Sequence, residues 1–210
     1  MSKRYRDFVA YLVEKQCAKH AAEYVKPAFA GDVEAASRLS CSLENHERGL
    51  VAVAMWRAKV PAGAFGAYLS SVWVHDHRWV IEAARNRRTL AYMFRYANFP
   101  LPQELPDVVT LWRGTSKLPI AEARAGYSWT NDRDVACWFA MGNAKRDGSP
   151  LVLAAEVAKT DIVLFHLERN ESEAVLIRPP ASVRIDGTPD DWEHGLVRHN
   201  AKMDAHKASF

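Results

Sequence analysis

Apolar residues recur every three or four positions through the first half of the chain and every second position through much of the second. Four stripes carry the helical period: Phe8, Tyr11 and Leu12 with Lys15 at the edge; Leu50, Val53, Ala54 and Arg57; Phe65, Leu69, Val72 and Trp73; Leu90, Met93, Phe94 and Ala97. Pro27 and Gly31-Asp32 punctuate this region, and Asp32 reads as an N-cap. Asp76 reads as the cap of a further helix through Trp79, Val80 and Ala83. Pro100, Pro102 and Pro106 then interrupt the pattern. Each removes a backbone donor and disfavours helix in the residue before it.

Beyond the prolines, strands are expected over 108–113, 126–131, 151–157, 162–165, 171–177 and 182–185. A short helix over 132–141 would place Val135, Ala136, Phe139 and Ala140 on one buried face, and Trp129 reads as core. From Gly187 onward the chain is largely polar, with Trp192 its largest apolar residue, so a surface helix or a partly disordered end is expected. The fold class is therefore α+β: a helical N-terminal half packed beside a mixed, mainly antiparallel split sheet. The expected divisions are 1–107, 108–186 and 187–210.

Length and charge narrow the picture further. The chain has 210 residues, enough to bury a substantial core. A net charge of +3 does not by itself point to nucleic acid. No apolar run approaches the roughly 18 residues of a membrane helix, so no membrane partner is expected. No apolar signal core follows the basic start. Cys17, Cys41 and Cys137 are widely spaced and suggest neither a metal site nor a disulfide framework, which fits reduced thiols in a cytoplasm. His75-Asp76-His77 resembles a metal cluster, but helical positions two apart diverge, so a capping and surface role is expected. His166, His194, His199 and His206 form no constellation. Arg85, Arg87 and Arg88 make a small basic patch, read first as a solvated face and second as a contact for an acidic partner or nucleic acid.

The candidate chemistry lies in three of the strand segments. Strand residues two apart share a face, so Ser128 and Thr130 project together, with Trp129 opposite. Glu171 and Glu173 likewise share a face, about 6.6 to 6.8 Å apart. Arg113 shares its face with Leu111. If the three strands are neighbours, Arg113, Ser128, Thr130 and Glu173 can line one cleft. The planar guanidinium suits phosphate, and a carboxylate can face a developing sugar cation. Each feature alone is an ordinary surface pattern; their order and strand placement make the case together.

The pieces are Trp112-Arg113-Gly114, Gly126-Tyr127-Ser128-Trp129-Thr130, Ala136-Cys137-Trp138-Phe139-Ala140 and Glu171-Ser172-Glu173. In this order they resemble the ADP-ribosyltransferase superfamily, in its Arg–Ser–Glu branch, over about a third of the chain. The resemblance implies NAD as substrate and no metal. Arg113 and Gly114 would hold the phosphates and adjacent ribose. Ser128 would orient the catalytic carboxylate, and Thr130 would support the nicotinamide-side wall. Glu173 would be that carboxylate, and Glu171 would polarise the acceptor, implying arginine side chains of a protein, with nucleic acid as a second acceptor class. Ala174 stands where family members often carry Val. Two rivals stay open: NAD hydrolysis to water, as in a toxin, and a non-catalytic interaction module on the same fold.

Overall fold

The computed structural model describes residues 3–166 and 172–207, with Arg146 and Asp147 described by backbone alone. The chain divides into two compact units, Met1–Phe99 and Pro100–Phe210. The boundary falls at the first of the three interrupting prolines.

The first unit is helical: α1 (Lys3–Gln16), α2 (Lys19–Ala30), α3 (Val33–Ser42), α4 (Asn45–Arg57), α5 (Ala62–Ala84) and α6 (Arg87–Ala97). Asp32 caps α3, its carboxylate accepting from Ala35 N at 2.9 Å. Asn86 caps α6 in the same way through Thr89 N at 2.8 Å. Phe65, Leu69, Val72, Trp73, Leu90, Met93 and Phe94 are buried as their spacing predicts. Trp73 and Phe94 meet edge to face at 4.9 Å between centroids.

Two local expectations change. Pro27 lies inside α2, which ends instead at Gly31 in the left-handed region, so the helix continues past it with one backbone bond missing. Phe8, Tyr11 and Leu12 are exposed, and α1 turns Ala10 and Val13 inward. Asp76 does separate two helical stretches, as expected, although they join across it as one bent element. It kinks α5, with φ −148 and ψ 41, and its carboxylate pairs with Arg48 of α4. Past the kink α5 crosses α4 at Gly49, where any Cβ would collide with the Trp79 carbonyl.

The second unit is built on a six-stranded sheet of order β4-β5-β2-β1-β3-β6. Its strands are β1 (Val108–Ser116), β2 (Ser128–Thr130), β3 (Pro150–Ala158), β4 (Ile162–His166), β5 (Glu173–Leu176) and β6 (Arg184–Ile185). Every pairing among the described residues is antiparallel, and they join into one sheet rather than a mixed, split one. The β1–β3 ladder runs unbroken from Val108 opposite Ala158 to Ser116 opposite Pro150. One face carries Leu111, Trp129, Leu153, Phe165, Ala174 and Leu176 and is closed by Leu105 and by Ala123 of α7 (Ile120–Arg124).

The opposite face receives α8 (Arg133–Asp147), which reaches further than expected. Ala136, Cys137 and Ala140 pack there with Val152 and Trp112. Cys137 therefore takes the inward position expected of Phe139, which is 36% exposed. Gly114 makes this approach possible, since a Cβ there would occupy the Ala136 carbonyl. The C-terminal segment is a helix, α9 (Pro189–Lys207), tied onto α8. Trp192 is buried, and Arg198 bonds Asp134 at 2.7 Å. Gly195 leaves room for the Cys137 thiol. Burial raises the Cys137 pKa, which disfavours its reactive thiolate.

Two outcomes follow. Gly114→Ala should push α8 from the sheet and cost about 1–3 kcal/mol or more, measured by denaturant unfolding. Burial opposes ionisation of Asp134, but bonds from Arg198 and Lys202 outweigh it and hold the carboxyl below its ordinary range. Its folded pKa is thus below its unfolded one. The stability it contributes is full above the ordinary Asp value and is lost as pH falls through the folded value. Asp134→Asn should flatten that acid-side loss in melting curves recorded across the acid range.

Candidate functional site

Backbone register brings the predicted residues together. Trp112 of β1 stands opposite Thr130 of β2, Thr130 opposite Glu173 of β5, and Glu173 opposite His166 of β4. Directly opposed residues share a sheet face. One row therefore runs Trp112, Thr130, Glu173, His166 on the α8 face. Ser128 lies on the same face in the next row, opposite Val175. Sequence reasoning placed Ser128 against the carboxylate; the hydroxyl directly across from Glu173 is that of Thr130. Thr130 is also tied to the start of α8, its Oγ1 accepting from Asp132 N at 3.0 Å.

Arg113 arrives differently. The pleat sets its Cα with Leu111, on the Trp129 side of the sheet. Its guanidinium nevertheless reaches the start of β2, where Nη1 donates to the Ser128 carbonyl oxygen at 2.5 Å. Gly126 provides the space, because a Cβ there would overlap the guanidinium. Trp129 Nε1 donates to the Gly126 carbonyl at 3.1 Å and holds the turn that enters β2. Burial pulls the Arg113 pKa below the usual guanidinium value, and the Glu173 carboxylate acts in the opposite direction. The two side chains are thus close enough to feel each other, although they arise from opposite sides of the pleat.

Two buried polar atoms at this strand end have no hydrogen-bond partner, Arg113 Nε and Ser128 Oγ. Burying such a group unpaired costs about 1–3 kcal/mol. Ser172, directly before Glu173, has φ 44, a left-handed conformation that is uncommon for serine. Strained backbone and unsatisfied donors are the features expected where a site is shaped for a polar ligand.

Gly114 falls outside this group, since its free face is filled by α8. Glu171 lies outside the described residues. The sequence reading missed two positions. Gly126 was part of the motif without a role, and its signal was a glycine two residues before a strand. His166 was set aside as isolated; its signal was a histidine two residues beyond Leu164, on the same face of β4. Among the described residues, no group of three or more His, Cys, Asp or Glu could hold a metal ion. No helix among them is long and apolar enough to cross a membrane. A scan against family models finds no match, and searches of curated proteins and of solved structures find none.

Ser128→Ala should leave the free protein as stable or about 1 kcal/mol more stable, because it removes an unpaired buried hydroxyl. Thermal unfolding checks this. A clear loss of stability would show that the hydroxyl is a structural bond.

Proposed function

We propose that the chain is an NAD-dependent mono-ADP-ribosyltransferase acting in the cytoplasm on a macromolecular acceptor, with protein the first acceptor class. The observation that supports this reading is the gathering about the short strand β2 of an arginine, a serine hydroxyl and a carboxylate, with two of their polar atoms unsatisfied.

In this reading the Arg113 guanidinium, anchored by the Ser128 carbonyl, uses its remaining N–H groups for the NAD pyrophosphate and adjacent ribose. Thr130 stands across from Glu173 on the neighbouring strand, and the unpaired Ser128 hydroxyl is left to bond the bound NAD. Glu173 accepts a hydrogen bond from the ribose 2′-hydroxyl of the nicotinamide half. The bond between nicotinamide nitrogen and ribose C1′ breaks, and its electron pair leaves with nicotinamide. The positive charge that develops on the sugar faces Glu173. At ~4 Å and an effective dielectric near 20, that attraction is about 4 kcal/mol. This equals roughly a thousandfold in rate when it is realised in the transition state. The acceptor then forms a bond to C1′ and gives up a proton, with Glu171 as its polarising partner.

Glu173→Gln keeps the shape and removes the charge, so nicotinamide release should fall by about a thousandfold. Wild-type turnover in the variant would overturn the role of Glu173. Glu171→Gln should reduce transfer to acceptor more than nicotinamide release, read with labelled NAD. If label from the wild type appears only in free ADP-ribose, water is the acceptor and the protein is an NAD glycohydrolase.

A further inference from the structure

The helical unit contains a groove that the chemistry above does not use. It has a volume of about 660 Å³ and lies between α4 and α5. Its walls are two helical stripes. Leu50, Val53 and Arg57 come from α4, following His46, and Trp79, Glu82 and Arg85 come from the second half of α5 and its cap. The kink at Asp76, pinned by Arg48, and the contact at Gly49 set α5 across α4, and the groove lies beside that crossing.

The lining combines a hydrophobic floor with cations. Leu50 is 63% exposed. The Trp79 ring meets His46 edge to face at 6.4 Å and lies 5.7 Å from the Arg78 guanidinium. Arg57 and Arg85 are exposed. The neighbouring helix α6 continues the theme, with Tyr92 flanked by Arg88 and Arg95 at 5.7 and 5.8 Å. Among the described residues, no carboxylate lies within ion-pair distance of Arg57, Lys59, Arg78, Arg85, Arg88 or Arg95.

Charge is also divided between the units. Residues 1–99 hold fifteen Lys and Arg against nine Asp and Glu, whereas residues 100–210 hold thirteen against sixteen. The modest overall charge therefore conceals a basic helical unit. Between Arg57 and Arg95 the acids are Asp76 and Glu82, and Asp76 is already engaged by Arg48.

We propose that this groove binds single-stranded nucleic acid, with bases on the Trp79–Leu50 floor and phosphates on Arg57 and Arg85. Uncompensated arginines attract a polyanion, and the half-buried Trp79 indole at the groove wall offers a stacking surface for an unpaired base. A duplex hides its base faces and would leave the apolar floor unused. An acidic helix could pair with the arginines, but it would not use the ring–guanidinium pairs that recur at Trp79 and Tyr92. The inference does not rest on the NAD reading, since none of these residues belongs to that site.

The test uses the full chain and a fluorescent oligothymidylate of about 12 nucleotides, within the range one such surface covers. Anisotropy titrations across salt concentrations should show binding that weakens as salt rises. Arg57→Gln with Arg85→Gln should reduce the log–log salt slope by about 1.4, at about 0.7 for each lost phosphate contact. Trp79→Ala should weaken binding about tenfold. Leu50→Glu, at an exposed position that folding tolerates, should weaken it while leaving nicotinamide release unchanged. A matched duplex, a poly-glutamate peptide and free thymidine monophosphate should each compete poorly. Absence of binding at low salt, equal binding by the Arg and Leu50 variants, or preference for any of the three competitors would overturn the proposal.

Discussion

The carboxy-terminal unit is organised by a single row of strand pairing, in which Trp112, Thr130, Glu173 and His166 stand side by side across four strands. Antiparallel hydrogen bonding allows no intermediate register, and a slip of one residue would send every side chain to the other face. Thr130 is central, with β1 on one side and β5 on the other. Because β2 is three residues long, its position depends on what holds its ends. At one end Trp129 bonds the Gly126 carbonyl; at the other Thr130 and Asp132 start α8. The sheet, the helix that covers it and the candidate site thus share the same few bonds.

Arg113 shows the cost of this arrangement. Its charge is largely withdrawn from water, which burial penalises, and the compensations visible are the Ser128 carbonyl and the field of Glu173. Neither satisfies Nε. A core selected for stability alone would place an apolar side chain there. Retaining a guanidinium beside an unpaired hydroxyl and a strained Ser172 fits a site whose last hydrogen bonds come from a ligand.

The helical unit solves a different problem with similar means. A break in α5 at Asp76 would leave a loose joint, but Arg48 from α4 holds it, and Gly49 lets the backbones touch. The groove lies beside that contact and is lined by both helices. Its exposed leucine and arginines and its half-buried indole are the remainder of two amphipathic stripes after the core has taken its share.

Much of this was legible from local pattern. Helical spacing identified Phe65, Trp73, Leu90 and Phe94 as core because a 3.6-residue period permits one buried face. Proline marked the boundary near residue 100 because it lacks a donor. Alternation alone put Ser128 with Thr130 and set Trp129 against them. Local pattern failed where a choice depended on a distant partner. Two apolar faces compete on α1, and the one with small residues faces inward. Cys137 rather than Phe139 meets the sheet, because α8 approaches closely over Gly114. The amino-acid sequence by itself determined which residues could share a face, since that follows from backbone period. Which strand lies beside which, that Thr130 rather than Ser128 opposes Glu173, and that the Arg113 guanidinium reaches the Ser128 carbonyl beside Gly126 were decided by tertiary structure, because strand order and register are set by pairing across long separations.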